Sequence, residues 1–233
     1  MELLGTGPGG WGDDLLRGAW VTIQLALSAL ALGLLIGLLL AGAKLAKNKL
    51  LNGFGALYTG FVRGTPEFLI LLLIYFGSEA GVKAVLNGLG LDIDFEMPKF
   101  LAAVLGLAFI FGAYACEVFR GAFLAVPKGL MEAAEAAGMS PWLAFRRVRL
   151  PMMWRYAIPG LGNLWMVMLK DTSLAAVIAL DELLRIAKIA GENTRDPLTF
   201  FLAAGVLYLI MTALSDYGRH RIEQRARRGM PAS

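Results

Sequence analysis

The sequence has very little of what metal sites, disulfides and most hydrolytic active sites require. Among its 233 residues there is 1 cysteine, Cys116, and 1 histidine, His220. One cysteine excludes an intrachain disulfide, and these two residues together are too few to form a zinc site. There is no HExxH pattern and no plausible Ser–His pair, which argues against an intramembrane enzyme. We therefore expect no catalytic residue, no bound metal and no enzyme activity in this chain.

The GxxxxGK[ST] pattern of a phosphate-binding loop is also missing, so the chain has no P-loop with which to bind ATP. Charged residues are scarce, at 17%, whereas hydrophobic residues make up 58% of the sequence. A soluble domain of this length carries a smaller apolar fraction. The composition predicts an all-α, polytopic membrane protein in which residues 1–233 form a single domain.

Five apolar runs are long enough to cross a bilayer as helices. We place these spans at about 17–43, 54–76, 100–126, 156–180 and 198–217. A charged loop at 77–99 and a polar, helix-capable linker at 181–197 separate two pairs of them. Gly33, Gly37 and Gly42 in the first run predict close contacts with a neighbouring helix.

Lysine and arginine are unequally divided between the two ends of these spans. One side carries Lys44, Lys47 and Lys49, the basic residues between Arg120 and Arg155, and the tail Arg219–Arg228. The positive-inside rule makes this the cytoplasmic side, with the N-terminus periplasmic and the C-terminus cytoplasmic. The formal net charge of +4 is therefore a topology signal, and we expect no binding to nucleic acid.

The loop at 127–151 is the one substantial polar segment with helical patterning. Residues 131–137 favour a helix, and Gly138 is expected to end it. Ser140 and Pro141 are typical of a new helix start, and Pro151 is expected to stop that second helix. The second helix would place Trp142 and Phe145 on one face. The two short helices would present an apolar knob to a partner; a solvated amphipathic loop helix is the alternative.

The spacing within this loop is similar to that of a known family. Glu132-Ala133-Ala134, then Gly138, then Val148-Arg149-Leu150-Pro151 resembles the EAA signature of ABC-importer permease subunits. Val148 stands where that family usually has isoleucine. The resemblance extends from about Gly18 to Arg228. The segments at 63–66, 126–129, 159–163 and 169–174 resemble the polar amino-acid branch, and those at 112–123 and 152–163 are most similar to permeases for histidine, lysine, arginine, ornithine and opines.

This resemblance implies the type I ABC-importer permease fold, with five transmembrane helices and a cytoplasmic coupling-helix loop in the bacterial inner membrane. It implies four kinds of partner: two ATPase subunits, a second permease that is identical or homologous, a periplasmic substrate-binding protein and the lipid membrane. ATP would bind the ATPase subunits, and this chain would hold no cofactor of its own. The docking residues implied are Glu132, Ala133, Ala134, Gly138, Trp142, Phe145 and Arg146.

The expected function is ATP-driven import of a polar, basic amino acid (histidine, arginine, lysine or ornithine) or an opine, from periplasm to cytoplasm. One alternative is a permease for another polar amino acid. A second alternative is an ion-coupled secondary transporter, although five spans cannot form the equal inverted repeat that is common in that class.

Charged residues inside the spans are the candidates for the substrate path. Arg63 adjoins a helix break, and Glu117 lies three residues before Arg120, which would neutralise it. Asp171 follows Lys170, and an internal ion pair there is at least as plausible as a substrate contact. Glu67 is a further acid within the predicted spans, and it follows the proline at Pro66. We choose Glu117 first as the partner of a cationic substrate, and Asp171 second.

Overall fold

The computed structural model describes residues 2–7, 9–91 and 93–227. Arg228 of the predicted basic tail and Asp92 of the predicted loop lie outside the described residues. The helices are α1 (Gly12–Leu45), α2 (Lys49–Gly64), α3 (Glu67–Gly88), α4 (Lys99–Leu124), α5 (Lys128–Ala136), α6 (Pro141–Ala144), α7 (Leu150–Asp171), α8 (Leu183–Thr194) and α9 (Pro197–Arg227). Short 3-10 helices cover Glu2–Leu4 and Thr172–Ile178, and a π-helical turn covers Phe145–Arg149.

Within the described ranges, five helical segments are long and apolar enough to cross a membrane. They are Gly12–Leu45, Glu67–Gly88, Lys99–Leu124, Pro141–Ile178 and Pro197–Ala226. The predicted number of spans and the all-α class are therefore confirmed. α4 is the most buried of the five, whereas α3 and α9 turn most of their surface outward.

α1 and α4 pack closely because small residues line their contact. A Cβ added at Gly33 would lie 2.7 Å from Cδ1 of Phe111, and one at Gly37 would lie 2.6 Å from Cβ of Ala115. Both distances are too short for a side chain, so the predicted helix contacts at these two glycines are confirmed. The third expectation is wrong, because a Cβ at Gly42 would meet nothing within 4 Å.

The second span differs from the predicted 54–76. α2 ends at Gly64, Thr65 is extended (φ −112°, ψ 139°), and α3 starts at Glu67. Pro66 explains the break, because a proline disfavours helical backbone in the residue before it. The candidate span is Glu67–Gly88, so residues 77–88 of the predicted loop are helix instead. The predicted helix break beside Arg63 is therefore confirmed, but the bounds of the span are wrong because the hydropathy pattern runs across the break.

The expectation that Pro151 stops the second coupling helix is also wrong. The helix continues from Pro141 through the π-helical turn into α7. The N–H of Leu150 donates to the carbonyl of Phe145, five residues earlier. Because Pro151 lies in the first turn of α7, after this wider turn, its missing N–H does not interrupt the helix.

The predicted linker at 181–197 contains α8, which begins at a buried acid. Glu182 is 0% exposed. Its carboxylate accepts hydrogen bonds from the backbone N–H groups of Leu184 (2.9 Å) and Arg185 (2.8 Å) and from the Tyr208 hydroxyl (3.0 Å). Burial raises the pKa of Glu182, while these three donors act in the opposite direction. Glu182 therefore attaches the start of α8 to α9.

Candidate functional site

The first candidate site is the polar loop, where α5 and α6 meet at a sharp bend. Gly138 has φ +77°. Its N–H donates to the carbonyl of Glu135 (2.9 Å), and the N–H of Met139 donates to that of Ala134 (3.1 Å). This pair of bonds is the Schellman arrangement that ends helices at a left-handed residue, a conformation that glycine adopts without strain. The predicted break at Gly138 is confirmed.

The predicted start of the next helix is also confirmed. The N–H of Leu143 donates to Oγ of Ser140 (3.4 Å), and Pro141 occupies the first helical turn. The rings of Trp142 and Phe145 stack with their centroids 5.8 Å apart and their planes 19° apart. Trp142 is 68% exposed, whereas Phe145 is half-buried. Stacking on the half-buried Phe145 therefore supports the Trp142 ring in an exposed position.

The other predicted docking residues divide by exposure. Glu132, Ala133, Gly138 and Arg146 are exposed, and Ala134 is buried. The loop therefore exposes an aromatic residue, Trp142, together with charged and small residues. This combination is suited to docking in a groove of a partner.

The second candidate, Glu117, lies in an ion-pair cluster. Its Oε2 accepts hydrogen bonds from Nε (3.0 Å) and Nη2 (2.9 Å) of Arg120, as the spacing predicts. Its Oε1 accepts a hydrogen bond from Nζ of Lys44, and the same Nζ donates to Oγ1 of Thr59 (3.0 Å). The cluster therefore joins α1, α2 and α4. Both carboxylate oxygens of Glu117 are occupied, so the acid has little capacity left for a cationic substrate.

Glu117→Gln is expected to destabilise the protein without changing its preference among substrates. The glutamine would leave Lys44 and Arg120 close together without the carboxylate between them. We expect a loss of roughly 1–3 kcal/mol in folding free energy, which a thermal unfolding assay in detergent would detect. The matched control is Glu79→Gln, which removes a carboxylate from a pair with Lys83 on α3. A variant that unfolds normally but no longer distinguishes arginine from neutral amino acids would contradict this assignment.

A cavity of about 220 Å³ brings together Glu67 and Asp171. Glu67 at the start of α3 and Asp171 at the end of α7 both line it, and α4 contributes Tyr114. The remaining lining is apolar and comes from α4 and α7: Leu107, Ile110, Phe111, Leu164, Val167 and Met168. Two carboxylates in an apolar wall attract a cation strongly, because little water is present to screen them.

Two helix interruptions position these acids. The chain breaks between α2 and α3 at Thr65-Pro66, and α7 changes to a 3-10 helix directly after Asp171. The α4 residues of the lining lie in the middle of that spanning segment, whereas Glu67 is the first residue of its own. Interrupted helices that meet near mid-membrane are the usual construction of substrate sites in transporters.

Among the described residues, the two neighbouring basic residues, Lys170 and Arg63, form no salt bridge with the acids of this cavity. Lys170 is exposed, while Asp171 is half-buried and lines the cavity. Within the described part of the chain, neither Glu67 nor Asp171 forms a salt bridge. Arg63 is exposed at the end of α2 and lies outside the cavity lining. The geometry therefore favours Glu67 and Asp171 over Glu117 and Arg63.

Sequence reasoning missed the pairing of Glu67 with Asp171 and the place of Tyr114. The one available signal was that Glu67 directly follows the Pro66 break. Across the described residues, no group of three or more His, Cys, Asp or Glu side chains is arranged to hold a metal ion. The cavity is suited to an organic cation with an apolar stem.

Comparisons with known proteins place the chain among transport proteins. The family described as "Binding-protein-dependent transport system inner membrane component" matches residues 33–228. The nopaline transport system permease protein NocQ of Agrobacterium fabrum is 43% identical over 231 residues, covering 99% of this chain and 98% of that protein. The histidine/lysine/arginine/ornithine transport system permease protein HisQ of Salmonella typhimurium is 42% identical over 207 residues, covering 89% and 90%.

A solved structure agrees with these relatives. A chain of the crystal structure described as "an amino acid ABC transporter with histidines" superposes with a TM-score of 0.80 and 31% sequence identity. The match covers 92% of this chain and 95% of that one. The shared fold therefore extends over most of both chains.

Proposed function

The chain belongs to the family of inner membrane components of binding-protein-dependent transport systems, and we propose that it carries a cationic amino acid or an opine past Glu67 and Asp171. It is a multi-pass permease subunit of an ABC importer, and its family consists of transport subunits rather than enzymes. The observation that carries the substrate proposal is the cavity that holds two carboxylates without a basic partner.

The chemistry of the cavity supports a basic substrate. A cationic side chain that leaves water for a low-dielectric path loses several kcal/mol of hydration, and a nearby carboxylate offsets that loss. The cavity is smaller than the roughly 300–1,000 Å³ of sites that enclose a whole ligand. It therefore suits the cationic end of the substrate, while the second permease subunit, identical or homologous, would close the other side of the path. The named relatives transport nopaline and basic amino acids.

The coupling element supplies the connection to ATP. We propose that Trp142 enters a groove of an ATPase subunit, with Phe145 as its support and Glu132, Ala133, Ala134, Gly138 and Arg146 around it. ATP would bind two such ATPase subunits, and a periplasmic binding protein would deliver the substrate. Helix-in-groove docking transmits movement because the aromatic anchor is held in one orientation.

The continuous helix from Pro141 to Ile178 gives this movement a direct route. It contains 38 residues, and the α-helical rise places Asp171 about 45 Å from Trp142 along its axis. The coupling helix and one acid of the cavity therefore belong to the same element. Pro159 lies within α7, where it removes one backbone hydrogen bond and allows the helix to bend. A shift at the ATPase end would reposition the wall that carries Asp171.

The proposed orientation puts the coupling loop in the cytoplasm and the α3–α4 loop in the periplasm. A cysteine at the exposed position Ser140 should react with a membrane-impermeant thiol reagent only after the inner membrane is opened. A cysteine at the exposed position Asn87 should react in intact spheroplasts. The unmodified chain, which carries the buried Cys116, is the control for labelling of that native cysteine. The reverse pattern of labelling would contradict the orientation.

Reconstituted vesicles that contain the permease, ATPase subunits and binding protein test the function directly. We expect uptake of radiolabelled arginine when ATP is present on the side of the coupling loop, and none with ADP. Collapsing the ion gradients should leave this uptake unchanged. Uptake that follows an ion gradient without ATP would instead indicate a secondary transporter. Uptake of neutral or acidic amino acids, with no uptake of arginine, lysine, histidine, ornithine or opines, would reject the substrate class.

A further inference from the structure

A second cavity, of about 450 Å³, lies beside the coupling element and has no part in the proposed substrate path. The last turns of α1 form one wall, the end of α4 forms another, and the π-helical turn with the start of α7 closes it. Its lining is mostly apolar and includes Leu38, Ala41, Phe119, Phe123, Phe145 and Met153. Arg149 is the charged residue of the lining.

The Arg149 guanidinium lacks an anionic partner within the described ranges. Its carbon lies 4.2 Å from the centroid of the Phe123 ring, so the cation rests on an aromatic face. Its Nε is buried and has no hydrogen-bond partner, and no described carboxylate forms a salt bridge with it. An unsatisfied donor on a partly buried cation is costly unless an external anion completes it.

The position of the cavity identifies the kind of anion. Leu38 and Ala41 lie in the last turns of the first spanning segment, so the apolar part of the cavity adjoins the membrane boundary next to the coupling loop. Ala46 lines the cavity, and the exposed Lys47 follows it in the link to α2. The site thus has an apolar interior, a guanidinium at its wall and a basic rim near the membrane surface. Basic pockets between helices at this depth suit the head group of an anionic lipid.

We propose that this cavity binds an anionic phospholipid of the leaflet next to the coupling loop, which is the cytoplasmic leaflet in the proposed orientation. The lipid phosphate accepts hydrogen bonds from Arg149, and an acyl chain lies along the apolar walls. Guanidinium and phosphate match in charge and in planar geometry. An ATPase carboxylate is the less suitable partner, because the cavity is mostly apolar and is walled by the last turns of α1 and the end of α4, both parts of spanning segments.

The bound lipid would also support the coupling helix. Phe145 lines the cavity on one side and stacks on Trp142 on the other. Filling the cavity holds the Phe145 ring in place, and the stack passes that restraint to the exposed tryptophan. The lipid composition of one leaflet would in this way influence how firmly the docking anchor is held.

Two variants separate the charge of this site from its space. Arg149→Gln removes the cation. Gly42→Leu fills the cavity and leaves the charge, since Gly42 lines the cavity and a Cβ there meets nothing within 4 Å. Arg147→Gln is the matched control, because Arg147 is exposed and outside the lining. The full chain with its partner subunits is purified from an equal mixture of phosphatidylglycerol and phosphatidylcholine, and native mass spectrometry counts the lipids retained.

We expect the unmodified transporter and Arg147→Gln to retain phosphatidylglycerol over phosphatidylcholine. Arg149→Gln should lower that preference roughly tenfold, the effect of losing one charge-assisted contact. Gly42→Leu should lower the number of lipids retained, because it occupies the space of the acyl chain. Added inorganic phosphate should not displace the lipid, because it lacks the acyl chain. Displacement by phosphate would overturn the lipid assignment, as would equal retention of the two lipids by the unmodified protein. If Arg149→Gln releases the ATPase while lipid retention is unchanged, Arg149 is a subunit contact and the proposal is wrong.

Discussion

Replacing Gly138 by arginine is expected to abolish ATP-driven uptake while the chain remains inserted in the membrane. Gly138 has φ +77°, and a side chain in this left-handed region costs about 1–2 kcal/mol. That strain alone would lower the fraction of coupling loops with the bend needed for docking roughly tenfold. A Cβ at Gly138 meets nothing within 4 Å in this chain. The long arginine side chain therefore projects from the bend into the space that the ATPase must occupy. This clash should abolish the uptake that remains after the backbone strain.

Two further variants separate backbone strain from bulk at this bend. Gly138→Asn should retain most uptake, because asparagine tolerates the left-handed conformation and has a short side chain. Gly129→Arg adds the same charge to α5 at an exposed helical position with open space around it, and it should have the smaller effect. Uptake is measured at matched membrane protein levels. Wild-type uptake by Gly138→Arg would refute the coupling role of the loop.

Asp171→Asn is expected to reduce arginine and lysine uptake far more than uptake of any neutral substrate. The change keeps the shape of the side chain and removes its charge from a mostly apolar cavity. Losing one partner of a buried charge pair costs about 2–5 kcal/mol, so uptake of the cation should fall by roughly thirtyfold or more. Glu67→Gln should act in the same direction, and the two changes together should abolish uptake of the cation.

The control for this prediction is the adjacent Lys170→Gln. Lys170 is exposed and outside the cavity lining, so its removal should leave the ratio of arginine to neutral uptake unchanged. Glu117→Gln is a second control, since both of its oxygens are engaged by Lys44 and Arg120. If Glu117→Gln changes this ratio and Asp171→Asn does not, the substrate path runs past Glu117 instead.

Local chemistry explains why the coupling loop could be predicted in detail. The cap at Ser140, the proline at Pro141 and the bend at Gly138 each depend on a few neighbouring residues, and all three agree with the structure. The failure at Pro151 has a local cause as well. A proline usually marks a helix end. Here Pro151 follows a π-helical turn and lies in the first turn of α7, where its missing N–H does not interrupt the helix.

The substrate site could be predicted less well because it depends on contacts between distant segments. The sequence favours Glu117 because it lies in the segment at 112–123, which is most similar to permeases for basic amino acids and opines. Of its two basic partners, only Arg120, three residues away, could be predicted. Lys44 lies 73 residues away and completes the cluster. The cavity similarly joins Glu67 to Asp171 across two helix interruptions. Charge and spacing identified Glu67, Glu117 and Asp171 as candidates, but only the packing of α3, α4 and α7 distinguishes a paired acid from one that faces a cavity.

A cryo-electron-microscopy map of the assembled transporter with arginine bound would test the proposed path most directly. The path predicts density for the guanidinium within about 5 Å of the Asp171 carboxylate, between α3 and α7, with Glu67 on the opposite side. Arginine density beside Glu117, or along a route that contacts neither Glu67 nor Asp171, would contradict it.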